Sequence, residues 1–448
     1  VTLTVEAVLS LAPDQASSAA GRKLASVASW ASLGCDDGAL WGECKGSGAQ
    51  PYQTRVDMSS LTYKCSCPSR KFPCKHALGL MLLSSAGTVA AGERPAWVRE
   101  WFERRDSAAQ AKPAAAAKAA AANATPEVAA ASAAAAAKRA QARAERVAAG
   151  LEELELWLGD LVRLGIAHWQ REPAKFWEAR AARLVDAQAP GVARRVRAFA
   201  GIAASGADWN ERLLDAFGSL FLLREAYARL DTLPEPLRAD VRRHIGWTTT
   251  QAEILASATD VIDDRWTVVG TRTDDDDRIV VHRAWLHAER ARRFALVLQF
   301  VAPGQRLGTA LMPGTTIAGT LAFVPSAYPL RAVLAEPGER YAIEAAATPP
   351  PGGLAADVLD AFARAAAADP WIEAIPAALA LARIAHDRSG WYVCDAAGEG
   401  LALAEGRVDP WILEALCGDR PATLAGEYDG MCFTPVALWH DGRHVALA

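Results

Sequence analysis

The stretch KCSCPSRKFPCKH, Lys64 to His76, holds three of the chain's eight cysteines and one of its eight histidines. Cys65 and Cys67 stand two apart at the end of an expected strand. Alternate strand residues project to one face, so both thiols point the same way. Cys74 and His76 stand two apart at the entry to an expected helix, and the loop from Pro68 to Pro73 turns the chain back so that this pair falls over the first. Three thiolates and one imidazole make a closed tetrahedral set, and soft ligation by sulfur and nitrogen without redox chemistry favours zinc. Four protein ligands leave no position for water. The ion is therefore expected to be structural and to supply folding free energy, roughly 10–16 kcal/mol in zinc-finger peptides. The alternative, ordinary buried cysteines beside a helix-start histidine, requires C-x-C and C-x-H to meet by accident.

The rest of the chain sets the context. At 448 residues it exceeds what one hydrophobic core supports. Its 51% hydrophobic and 22% charged content is that of a soluble globular protein. A formal charge of -4 gives no global attraction to phosphate, so nucleic-acid binding must rest on a local patch. No apolar run reaches the length of a membrane span, and VTLTVEAVLSLAPDQ lacks the basic start of a signal peptide. A cytoplasmic location is expected, where thiols stay reduced and clustered cysteines bind metal.

The pattern predicts an α+β multidomain protein. Residues 1–105 hold the cysteine module: strands in ALWGECKGSG, PYQTRVDM and LTYKCSC, a helix in KHALGLMLLSSAG and a short helix in WVREWFERR. Residues 106–124 collapse to alanine with scattered lysines, with no large side chain to bury, and read as a linker. Residues 125–258 read as all-α, opening on a long helix whose Val147, Leu151, Leu154, Leu158 and Leu161 are spaced 4, 3, 4, 3 to pack on a neighbour. Residues 259–448 read as a β-rich α+β region, one domain or two divided near 349–353, with a helix expected through LAADVLDAFARAAAADPWIEAIPAALALARI. No repeat of 20 to 50 residues is visible.

Cys-x-Cys, a six-residue loop and Cys-x-His resemble the SWIM zinc finger, over about residues 39–84. The resemblance implies a β-hairpin with a C-terminal helix and carries the ligand roles to Cys65, Cys67, Cys74 and His76 with no departure in spacing. The text around it, from LAPDQASSAAGRKLA through CSCPSRKFPCKHALGLMLL, is similar to a larger bacterial SWIM-finger family. That family's genes commonly neighbour those of a MoxR-type ATPase and a von Willebrand factor A protein, which implies a protein partner of that kind. SWIM modules are described as DNA-binding or protein-binding, so the resemblance leaves both readings open.

Over residues 39–84 six basic side chains stand against two acidic ones. Lys64, Arg70, Lys71 and Lys75 cluster in the ligand stretch and form the expected partner or nucleic-acid surface; a solvated rim is the bland alternative. Other motifs read as structural. Cys35, Cys44, Cys394, Cys417 and Cys432 are isolated thiols, and Asp274 to Asp277 form an acidic turn. His440 and His444 flank Asp441-Gly442, and a two-residue hairpin there puts their rings on opposite faces. Arg180, Arg183, Arg194, Arg195 and Arg197 bracket DAQAPG, as a functional surface or as the solvent face of a bundle. Gly46-Ser47-Gly48 lacks the Gly-Lys of a phosphate loop, and neither G-x-S-x-G nor H-E-x-x-H occurs. The expectation is a non-enzymatic zinc-bearing adaptor, with DNA or RNA binding through the basic patch as the alternative.

Overall fold

The computed structural model describes residues 5–12, 15–46, 50–58, 61–69, 71, 73–105, 107, 126–206, 208–276, 279–301, 311–335, 343–344, 348–418, 420 and 422–447. Arg70, Asp277 and the Ala-rich tract 106–124, Ser107 apart, lie outside the described residues. The architecture is mixed α and β, with a cysteine module, a helical bundle and a β-rich C-terminal region.

In the cysteine module, α1 (Val5–Ser10) and α2 (Gln15–Leu24) precede an antiparallel sheet of β1 (Trp30–Cys35), β2 (Ala39–Cys44), β3 (Tyr52–Asp57) and β4 (Tyr63–Cys65), paired in that order. Strand β1 was not expected from the sequence: in WASLGC only Trp30 and Gly34 are buried, so no run of apolar residues marks it. Helix α3 (Lys75–Ser85) is buried at every position from His76 to Leu83, as its apolar sequence requires. A helix over 96–105, α4, covers the other face of the sheet, with Val98, Trp101 and Phe102 on Ala39 and Trp41.

The bundle comprises α5 (Pro126–Leu164), α6 (Ala174–Asp186), α7 (Pro190–Ala203), α8 (Trp209–Ala228) and α9 (Glu235–Ile245), followed by α10 (Gln251–Ser257). The seam Val147, Leu151, Leu154, Leu158 and Leu161 lies in its core, packed with Trp157, Trp169, Trp177, Phe199 and Phe217. The DAQAPG turn has a packing reason. A Cβ on Gly191 would stand 2.2 Å from the His244 carbonyl oxygen, so only glycine lets α7 and α9 come this close.

The C-terminal region holds two barrels of one connectivity. In the first, β5 (Val261–Asp276), β6 (Ile279–Ala288) and β7 (Phe294–Val301) form a meander; β8 (Thr316–Phe323) pairs β5, and β9 (Arg331–Leu334) closes the ring by pairing β8 antiparallel and β7 parallel. Strand β10 (Ile343–Glu344) extends β8. After α11 (Ala355–Ala368), β11 (Ile375–Asp387), β12 (Gly390–Cys394), β13 (Gly400–Leu403), β14 (Ala422–Tyr428) and β15 (Cys432–His440) repeat the same order, with β13 and β15 parallel. Helix α12 (Pro410–Cys417) joins the third and fourth strands and β16 (Arg443–Ala446) is added at the edge. Numbered within each barrel the order is 1-2-3-5-4-1, a five-stranded Greek key of the OB type. This corrects the expected helix through IPAALALARI: those residues form β11, and their alanines and leucines fill the space between β12, β14 and α11. High helix propensity is overridden there by tertiary packing.

The cysteine module meets both barrels. Met312, next to β8, is buried in the core of the cysteine module, and α1 packs on β16. Between bundle and barrels the joint is Trp371, buried in the bundle core with its Nε1 donating to the Ser219 carbonyl at 3.0 Å. Around it Asp369 accepts from His244 Nε2, Arg243 Nη2 and the Trp371 N–H, each at 3.1 Å. Arg243 also donates to Asp240 at 2.6 Å, and Asp240 accepts the Ala327 N–H at 2.7 Å. Arg195 donates to the Trp371 carbonyl and stands 3.2 Å from His244 Nδ1. Arg donates only, so Nδ1 is the acceptor and His244 is neutral with its proton on Nε2.

Burial agrees: it holds His244 below the ordinary histidine range against the opposing bond to Asp369, and it lowers His282 and His444 and brings His287 to about 4. The unfolded chain takes these protons near pH 6.5, the folded chain only below that. Stability is therefore full above about pH 6.5 and is lost as the pH falls from there toward the folded values. Thermal melts between about pH 7.5 and pH 5 are expected to show a falling midpoint, with a shallower slope in His244→Gln; a midpoint that holds or rises on acidification contradicts the assignment.

Candidate metal centre

Cys65 closes β4, where pairing with β3 sets it opposite Thr54, and the Thr54 hydroxyl donates to its sulfur at 3.2 Å. The Cys67 N–H turns back toward the same sulfur at 3.5 Å. Cys74 is the N-cap residue of α3, with extended φ and ψ of -73° and 162°, and its carbonyl takes the Leu78 N–H. One residue into the helix, His76 places Nδ1 3.7 Å from Cys65 Sγ, its ring against Tyr52 with centroids 4.9 Å apart. The four ligand atoms all lie within 4.8 Å of one another. Sulfurs bonded at about 2.3 Å to one tetrahedral ion lie about 3.8 Å apart, so the set closes on zinc with a contraction of about 1 Å.

The donor chemistry fits a cation. Cys74 is 2% and His76 4% exposed, while Cys65 and Cys67 are half-buried. Hydrogen bonds with Cys65, then Cys74, pull the Cys67 thiol far below the usual range, whereas hydrogen bonds with Cys65 and Cys67, then burial, push Cys74 above it. Burial acts to lower His76, but bonds to the Cys65 and Cys67 sulfurs outweigh it and raise the imidazole to about 9. A pocket that gathers negative charge on shared sulfurs is one a divalent cation neutralises directly. The cluster fits one structural zinc ion, held by all four side chains. Thr54 and Tyr52, which position Cys65 and His76, were not singled out from the sequence; the β3–β4 register is the signal that locates Thr54.

The basic residues divide between two faces. Lys71 and Lys75 are exposed, on the ligand loop and at the first position of α3. Lys64 pairs across the strands with Arg55, whose guanidinium lies over Trp97 and Trp101 of α4, so alternation places Lys64 on the sheet face away from the donors. The arginines around DAQAPG are engaged within the protein: Arg180 and Arg183 with Glu153, Arg194 with Glu373, Arg197 with Glu178. His440 and His444 lie on opposite faces, each paired across the hairpin with Arg443 and Trp439 respectively. Asp274 is tied to Arg272.

The purified protein is expected to carry one equivalent of zinc, and Cys74→Ser or His76→Ala to carry well under half of that by elemental analysis. A chelator is expected to expose the Trp30 and Trp41 rings, both buried, and to red-shift tryptophan emission. Full zinc retention by Cys74→Ser is the outcome that removes this residue from the site.

The comparisons agree with this geometry. The SWIM zinc finger family matches residues 52–84. The SWIM-associated four-helix bundle domain matches residues 142–245, which cover α6 to α9 and most of α5. No curated protein and no solved structure matches the chain. SWIM domains in general are interaction or nucleic-acid-binding modules. Among the described residues no helix is long and apolar enough to cross a membrane. With the four donors of the finger gathered on one seat, and the bundle that accompanies such fingers following it, the chain carries a SWIM zinc finger and a SWIM-associated four-helix bundle domain.

Proposed function

We propose that the protein is a non-enzymatic adaptor whose zinc-held finger and helical bundle recruit a protein partner, of the MoxR-type ATPase or von Willebrand factor A kind that the family resemblance implies. The observation that carries this reading is on α8. Leu214, Phe221 and Leu222 are 46–51% exposed and share one side of the helix, and Gly218 between them leaves open space where a side chain would stand. An apolar stripe of this kind on a packed bundle is a seat for another protein. Two further observations support it. A four-ligand metal site has no open position for substrate. In the cleft of about 650 Å3 between the two barrels, Asp260 pairs with Arg293, and Asp357 accepts the Leu354 N–H, so these titratable groups serve the fold.

The second reading, nucleic-acid binding, rests on Lys71 and Lys75, exposed beside the metal site. The two readings separate in one set of measurements. Capture of partners from the native cell by tagged protein is expected to be lost in Phe221→Glu and kept in the double variant Lys71→Glu, Lys75→Glu. Zinc content and melting midpoint serve as controls for folding. Under the second reading the lysine variant instead loses duplex binding, which in the parent falls steeply as salt rises. Capture unaffected by Phe221→Glu sinks the adaptor surface assigned to α8.

A further inference from the structure

The two OB-type barrels differ in what covers them. The outer face of β5 to β7 carries Val269, Trp285 and Leu296, and the second barrel sits on it through Ala378, Val436 and Trp439. The second barrel ends in the β11–β12 hairpin and the start of α12, where His386, Trp391 and Trp411 form a cluster of rings. Centroids lie 4.6 Å apart for His386–Trp391, 4.8 Å for Trp391–Trp411 and 5.9 Å for His386–Trp411. Trp411 is 61% and Ile412 53% exposed. A tryptophan held by two neighbouring rings yet open to water on its remaining surface is rigid and desolvates readily, the character of an interface anchor.

Charge decides what it fits. From Leu354 to the end, fourteen acidic residues stand against six arginines, with no lysine, and Asp369, Asp395 and Glu427 are the buried ones among the described carboxylates. At the cluster itself, Asp387 sits in the hairpin between His386 and Trp391, Asp409 caps α12 by accepting the Trp411 N–H at 3.0 Å, and Glu414 lies one turn on from Trp411. Arg388 is the basic residue of the hairpin tip. Single-stranded nucleic acid needs an aromatic platform in a positive groove, and this platform lies in an acidic region.

We infer that the Trp391–Trp411 cluster is a docking site for an arginine-rich segment of a protein partner. A guanidinium stacks on the open face of Trp411, and the surrounding carboxylates supply the countercharge. This inference is independent of the finger and of α8, and gives the chain a second recognition surface at its other end.

The test uses the full zinc-loaded chain. Fluorescein-labelled nona-arginine, nona-glutamate and single-stranded oligo-dT of about twenty nucleotides are titrated at moderate salt and followed by anisotropy. Nona-arginine is expected to bind saturably and to quench tryptophan emission. Trp411→Ala is expected to weaken it at least tenfold, while Trp411→Phe, which keeps a ring face, stays nearer the parent. Melting curves of both variants confirm folding, which the exposure of Trp411 protects. Nona-arginine affinity unchanged in Trp411→Ala overturns the inference by reducing the effect to general acidity. Absence of nona-arginine binding, or oligo-dT binding that Trp411→Ala abolishes, overturns it as well.

Discussion

The arrangement begins with three sulfurs and one ring nitrogen drawn onto a single seat between a three-residue strand and the first turn of a helix. Neither element holds itself there. Strand β4 makes only a short ladder with β3, and the loop between Cys67 and Cys74 begins and ends on a proline, outside any regular element. One ion joins the end of the hairpin to the start of α3, and α3 is the centre of the finger's core, buried along eight successive residues. Met312 reaches into that same core from the first barrel. The metal thus fixes a surface against which a distant part of the chain packs, and the consequence of ligation extends beyond the finger.

At the other junction the chain uses buried charge where the finger uses a metal. Trp371 inserts into the bundle, but its indole would fit many apolar pockets; Asp369 beside it accepts only from His244, Arg243 and the backbone in this one orientation. Burial acts to raise the Asp369 carboxyl, and the bond from His244 and the nearby Arg243 charge outweigh it and keep it ionised. Such networks add less to stability than their distances suggest, because the charges are first stripped of water. Their effect is on geometry: a neutral His244 and two arginines fit together in one arrangement of bundle and barrel.

The legibility of these features in the sequence follows from how local they are. The metal ligands lie within twelve residues and obey the alternation of a strand and the cap of a helix, so their convergence is readable from spacing. The seam from Val147 to Leu161 is readable for the same reason. Strand β11 was not, since Ile375 to Ile384 is rich in alanine and leucine, whose preference is helical, and contacts with β14, forty or more residues later, hold most of it extended. Pairing of basic residues was also hidden. Lys64 sits one position from Cys65 in sequence and on the other face of the sheet, because a strand reverses side at every residue.

The duplicated barrel was invisible for a further reason. Its repeat lies in strand order and not in residues: β5 spans sixteen positions with a bulge between Val268 and Gly270, while β11 spans thirteen and bulges elsewhere. Equivalent strands also bury different partners. Gly270 is where the barrels touch, since a Cβ there would stand 2.6 Å from Val436 Cγ2, and Glu427 of the second barrel accepts from Trp285 Nε1 at 2.6 Å and Arg272 Nη1 at 2.5 Å of the first. A buried carboxylate is tolerable only with donors already in place, so Glu427 fixes which face of the first barrel the second occupies. Once that face is filled, the aromatic cluster at the far hairpin is left uncovered. What the molecule leaves open for others is thus set by how it first satisfies its own buried charge.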